Sequence, residues 1–141
     1  MRWRAGSLAR SGPETACKEG PTGTISPVTD CIFCAIAAGD APSAEVLSTE
    51  LVYAFRDMRP VAPTHVLVIS REHIVDAAGI TSAHGELLAE MFDVARRVAA
   101  AEGLAERGSR LVLNVGPDSG NSVAHLHLHV LGGRHMSWPP G

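Results

Sequence analysis

Three histidines at every second position, His125-Leu126-His127-Leu128-His129, are the residues of this chain whose type and spacing most directly imply chemistry. At a strand's period of two they share one face, while Leu126, Leu128 and Val130 share the other. Alternate strand residues lie roughly 7 Å apart, so three imidazoles would line one short groove. A strand that only filled a core would carry apolar side chains on that face. Imidazole serves as acceptor, donor, nucleophile and metal ligand near neutral pH. Just upstream, Asn114-Val115-Gly116-Pro117-Asp118-Ser119-Gly120-Asn121-Ser122 reads as a glycine-rich loop leading into the strand.

A middle histidine flanked by two others suits nucleophilic attack on phosphorus. One ring nitrogen attacks while the other holds its proton in a fixed hydrogen bond. The phospho-imidazole bond is labile, so water can discharge it. Charge developing on phosphate oxygens must meet fixed donors. Backbone N–H groups from Gly120 to Val123 would form an anion nest, with the Ser122 hydroxyl beside them. The loop lacks the Gly-Lys-Ser/Thr ending of a Walker A motif, and no magnesium-binding carboxylate cluster is evident. The competing reading is a metal held directly by alternate strand histidines, which are common ligands.

The elements that would position these groups begin near Asp30. Asp30 is the expected cap of a short helix carrying Ile32, Phe33 and Ile36, with Gly39 ending it. Glu45 to Ser48 and Leu51 to Phe55 read as two strands joined by a turn, and Asp57 follows directly. Pro60 and Pro63 then enforce an extended crossing. His65-Val66-Leu67-Val68-Ile69 reads as a buried strand, which Arg71-Glu72-His73 leaves. Thr81 or Ser82 would cap one long helix running to about Glu102, with Gly103 past its end. Its stripe of Leu87, Leu88, Met91, Ala95 and Val98 is core and carries no function. Arg110 to Val115 is a further strand before the loop. The sum is an α+β domain of about five mostly antiparallel strands with one long and one short helix.

With 141 residues, 45% hydrophobic and 19% charged, the chain is one ordinary globular domain. A net charge of −3 offers no basic surface for nucleic acid, so a bound phosphate must be held by local groups. No apolar run approaches the ~20 residues needed to cross a bilayer, so no membrane role is expected. Cys31 and Cys34 form a C-x-x-C pair and Cys17 stands alone, which argues for a reducing, cytoplasmic setting. Residues 1–29 are polar, aperiodic and expected to be a disordered tail, leaving 30–141 as the domain. Arg2, Arg4 and Arg10 faintly resemble a transit peptide, but the apolar face is poorly developed. A flexible tail, or a start site assigned too far upstream with Val28 as an alternative initiator, is the preferred reading.

The alternating pattern His-apolar-His-apolar-His-apolar-apolar resembles the signature of the histidine triad (HIT) family of nucleotide hydrolases and transferases. The resemblance extends over residues 30–141, through Ala62-Pro63-Thr64-His65, Leu67-Val68-Ile69 and Ser122-Val123. The ending Trp138-Pro139-Pro140-Gly141 is similar to the histidine triad nucleotide-binding (Hint) branch, the purine nucleoside phosphoramidases. The resemblance implies a HIT-like fold whose sheet joins that of a second copy in a homodimer. It implies hydrolysis of the P–N bond of purine nucleoside phosphoramidates and of aminoacyl adenylates, with release of a nucleoside monophosphate. His127 would attack the α-phosphorus and carry the covalent nucleotidyl intermediate. His125 would orient His127, and His129 would contact the phosphate. Ser122 would bond near the leaving group, with His65 an accessory histidine. Asp57 would accept both ribose hydroxyls, a bidentate task suited to a carboxylate. Phe33, Ile36 and Met58 would wall the base pocket, and Asn114, Gly120 and Val123 would complete the nucleotide site. Trp138 would reach the neighbouring subunit's site. No cofactor is implied for the chemistry.

Two positions depart from that branch: Asn121 replaces its usual glutamine, and Val115 the glutamate of eukaryotic members. Both sit on the leaving-group side. Pro117-Asp118 offers no cation to a polyphosphate, which argues against dinucleoside polyphosphates, the alternative substrates of the same family. A nucleotide-binding adaptor with incidental activity, and a metalloenzyme using the triad directly, stay open as other classes. Cys31 and Cys34 with His73 and His125 match the four positions that hold structural zinc in many bacterial members. The alternative for the pair is two small buried thiols or a weak redox pair. His84 and His135 read as surface residues, and Met136 as surface or interface.

Overall fold

The computed structural model describes residues 30–141, so the expectation of a disordered 1–29 tail lies outside the described residues. A short helix α1 (Ile32–Ala38) is followed by strands β1 (Glu45–Ser48), β2 (Val52–Arg56) and β3 (Thr64–Ser70). The long helix α2 (Gly85–Ala101), β4 (Ser109–Val112) and β5 (His127–Gly132) complete the chain. The strands form one sheet in the order β1-β2-β3-β5-β4, antiparallel at every pairing. This is the expected α+β architecture. No helix among the described residues is long and apolar enough to cross a membrane.

Register decides which side chains share a face. Ile69 pairs with His127 and Leu67 with His129, while on the other side Tyr53 pairs with Ile69 and Phe55 with Leu67. By strand alternation, Val66, Val68, Leu128 and Val130 fall on the opposite face. There they pack with Val52 and Ala54 against Leu87, Met91, Val94, Ala95 and Val98 of α2. Those helix positions recur at helical spacing, and Leu88 is only half-buried. On the histidine face a smaller cluster joins Tyr53, Phe55, Leu67 and Ile69 to Phe33, Ile36 and Ala37 of α1. The helix covering this face has 7 residues against 17 on the other. At 1.5 Å per residue it spans only about 10 Å of sheet, so part of the histidine face is left to a groove.

Four local expectations change, the first being that β4 ends at Val112 rather than Val115. Cys31, not Asp30, is the N-cap of α1, because its sulfur accepts the Cys34 N–H. Gly39 ends that helix in the left-handed conformation as expected. Thr81 caps a separate 3-10 turn at Ser82–His84, and α2 starts only at Gly85 without a side-chain cap. Strand β5 starts at His127, so His125 precedes it. There the Leu126 N–H bonds to the Ile74 carbonyl at 2.6 Å instead of continuing the ladder.

Arg71, at the exit of β3, fixes α1 to the sheet. Its guanidinium donates to the Ala37 carbonyl, the Thr49 carbonyl and the Ser48 hydroxyl at 2.6, 2.7 and 2.5 Å. At the far end of β5, Gly133 has φ +88°, and a Cβ there would lie 2.8 Å from the Pro63 ring. Only glycine lets the chain turn away at that point.

Candidate active site

His125, displaced from the strand, turns its Nδ1 toward sulfur. It lies 3.3 Å from Cys31 Sγ and 3.5 Å from Cys34 Sγ, while His73 Nδ1 lies 3.2 Å from Cys34 Sγ. All four donor atoms fall within 4.8 Å of one another. Tetrahedral zinc with Zn–S of ~2.3 Å and Zn–N of ~2.05 Å requires sulfur–nitrogen separations of about 3.5 Å. The set fits. Its outer partners fit too: His125 Nε2–H donates to the Ser70 carbonyl at 2.7 Å, which leaves Nδ1 as a lone pair facing the sulfurs. Burial holds the His125 pKa down to about 4, so the ring is neutral. Cys31 and Cys34 would serve as thiolate ligands.

The same residue holds His127. The His125 carbonyl accepts from His127 Nδ1–H at 2.5 Å, so the free lone pair of His127 is on Nε2. The ring is buried, with the Phe33 ring edge-on at 5.2 Å and His129 at 4.9 Å between centroids. His129 Nδ1 lies 2.9 Å from His65 Nε2, and Asp57 Oδ2 lies 3.4 Å from that same His65 atom. Burial lowers the pKa of both rings, His129 to about 4, with Asp57 opposing the shift in each. A neutral His65 therefore makes no ion pair with Asp57 at neutral pH. The other Asp57 oxygen accepts the Arg59 N–H at 2.8 Å, which fixes the carboxylate at the end of β2.

The structure thus brings together His125, His127, His129, His65 and Asp57, and sets Phe33 and Ile36 against the sheet beside them. Val123 packs on the same cluster, and Asn114 is half-buried. Gly120 and Ser122 are exposed on the loop. Met58 and Trp138 stand open at 92% and 82% exposure, so in the single chain neither walls a closed pocket. Four residues were missed: Tyr53, Phe55, Leu67 and Ile69 extend the apolar wall around Phe33. Their signal lay in the register, since each sits on the strand face that carries the histidines. Arg110 and Arg134 pin the last residues by bonding the Ser137 and Val61 carbonyls.

Comparison with known proteins agrees with this geometry. The HIT domain family matches residues 38–136. A HIT family hydrolase from Legionella pneumophila superposes with a TM-score of 0.77 at 49% identity, covering 79% of this chain and 99% of that one. The purine nucleoside phosphoramidase of Escherichia coli is 41% identical over 105 residues, 74% of this chain and 88% of that protein. A 14 kDa zinc-binding protein of Zea mays is 46% identical over 112 residues, 78% and 87% of the respective chains. The chain belongs to the histidine triad family, in its nucleotide-binding Hint branch, and is an enzyme, a hydrolase of the HIT type.

Proposed function

We propose that the enzyme hydrolyses purine nucleoside phosphoramidates and aminoacyl adenylates through a nucleotidyl intermediate on His127. The observation that carries this reading is the 2.5 Å bond from His127 Nδ1–H to the His125 carbonyl. It commits the proton to one nitrogen and leaves Nε2 as a nucleophile. Nε2 attacks the α-phosphorus, the P–N bond breaks, and the amine leaves with a proton taken from bulk water. Water then attacks phosphorus, the P–Nε2 bond breaks, and the nucleoside monophosphate is released while the attacking water's proton returns to solvent. His129 Nε2 and the Gly120–Val123 backbone receive the charge on the phosphate oxygens, with Ser122 near the leaving group and Asn114 a further polar contact. The purine lies against Phe33, Ile36 and the strand residues beside them, with Met58 at the rim. The E. coli relative, named a purine nucleoside phosphoramidase, supports this substrate class. The functional unit in this reading is residues 30–141.

The test is turnover of adenosine phosphoramidate to AMP, with acid quench and mass mapping of the adduct. AMP on His127 is the expected product. An adduct elsewhere, or none during steady turnover, would exclude it.

Asp57 accepts the two ribose hydroxyls in this reading. Asp57→Asn then raises KM roughly tenfold to a hundredfold, as loss of a charge-assisted pair of bonds implies, with kcat changed little. A 2′-deoxy substrate should erase most of the difference between variant and parent. An equal penalty on both substrates would remove the ribose role.

Zinc belongs to the same proposal as a structural ion on Cys31, Cys34, His73 and His125. It would tie α1 to the segment that carries His127, and the chemistry needs no cofactor. Ligand use of these cysteines fits a reducing, cytoplasmic setting. A homodimer completes the reading. β4 ends the sheet on one side, and Leu111 on it and Phe92 on α2 are exposed apolar residues. Trp138 would then meet a neighbouring subunit. A sedimentation mass near the single-chain value of 14.8 kDa would remove the dimer.

A further inference from the structure

We propose that the backbone N–H of Val61 fixes the protons of two imidazoles in series, making His65 a positioning residue that presents His129 to the phosphate as a neutral Nε2–H donor. This deepens the reading of the site as a phosphorus-transfer centre and rests on it.

A backbone amide only donates. The Val61 N–H points at His65 Nδ1 at 3.2 Å, so that nitrogen accepts and the proton of the neutral ring sits on Nε2. From Nε2 it faces His129 Nδ1 at 2.9 Å, with Asp57 Oδ2 farther away at 3.4 Å. His129 Nδ1 is therefore an acceptor, and the His129 proton sits on Nε2. That nitrogen is buried and has no hydrogen-bond partner among the described residues. A buried N–H without an acceptor is unfavourable, and an oxygen of a bound phosphate would satisfy it. In the opposite arrangement His65 Nδ1–H would meet the Val61 N–H, two donors head to head.

Two consequences follow for neighbouring groups. His127 and His129 share a strand face yet hold opposite tautomers, one an acceptor at Nε2 and the other a donor there. The cluster Asp57, His65 and His129 has metal-like spacing within 4.8 Å, but His65 is wrongly wired for a metal. A ligating imidazole donates its other N–H to an acceptor, as His125 does to the Ser70 carbonyl. His65 faces a donor at that position. Distance alone would make both clusters metal sites, and only one has suitable outer partners.

The test is long-range proton–nitrogen correlation on the 15N-histidine-labelled protein at pH 7.5, followed by addition of AMP. Expected are Nε2–H forms for His65 and His129, with the His129 ring proton moving downfield as AMP binds. An Nδ1–H form at either residue overturns the proposal, as does an AMP response that leaves His129 unmoved. Val61→Pro removes the amide proton. It should mix the His129 tautomers and lower kcat by roughly tenfold to a hundredfold while changing KM less. Unchanged kcat with unchanged tautomers in a folded variant overturns the proposal. Should that variant fail to fold, the spectra of the parent still decide. Correct tautomers without phosphoramidate turnover would uphold the proton placement and remove the phosphoramidase reading instead.

Discussion

His127→Ala lowers kcat/KM for adenosine phosphoramidate by about 10⁴-fold or more and abolishes the trapped adduct. The size follows from what is removed. No other lone pair is held at that place, because His129 offers a proton from Nε2 and His125 Nδ1 faces the cysteines. Neither neighbour can substitute. The oxyanion donors and the base wall survive, so AMP should bind within a few-fold of the parent. The ring is buried against Phe33, and its loss leaves a cavity costing about 2–3 kcal/mol of stability. A thermal scan separates that cost from catalysis, since activity measured well below the melting point reflects folded protein. His127→Gly supplied with free imidazole should recover part of the first step, because the Phe33-lined cavity can admit the ring. A variant turning over at the parental rate would remove the covalent mechanism.

Much of the fold was legible because it follows from periodicity. The apolar runs at Val52 to Phe55 and His65 to Ile69 marked strands, and the alternation in His125 to Val130 reported which residues share a face. The stripe on α2 and the glycines at 39 and 103 reported where helices lie and stop. The errors fall where a tertiary demand overrides a local rule. Asp30 is the better cap by propensity, but Cys31 takes the position with its sulfur beside His125. His125 fits the alternating pattern, yet it leaves the ladder to put Nδ1 on the cysteines and its carbonyl on His127. Spacing cannot distinguish those outcomes. Nor can it reveal the backbone groups that fix the protons, the Val61 N–H and the carbonyls of Ser70 and His125, since every residue carries such groups. The residue types identified the histidines, and the main chain around them assigns donor and acceptor.

Reduced protein saturated with zinc should melt roughly 10 °C or more above the same protein in chelator. Zinc at 100 to 1,000 times its dissociation constant stabilises the native state by about 3–4 kcal/mol, and a domain of this size gains several degrees per kcal/mol. Reductant is part of the experiment, because Cys31 and Cys34 must both be thiolates. Elemental analysis should give one zinc per chain, lost in Cys31→Ser, Cys34→Ser and His73→Ala. Absence of zinc in reduced protein, with no change in melting, would return the pair to buried thiols. The effect should also reach catalysis without any metal at the phosphorus. His125 offers Nδ1 to the metal set, and its carbonyl holds the proton of His127. A free His125 can rotate or shift the carbonyl, and a displaced carbonyl no longer holds His127 in one tautomer. Chelation should then lower kcat more than it raises KM, because Asp57 follows β2 and Arg71 still fixes α1, with Phe33 and Ile36, to the sheet. An increase in KM alone would place zinc's influence on α1 and the base wall through Phe33, and not on the nucleophile.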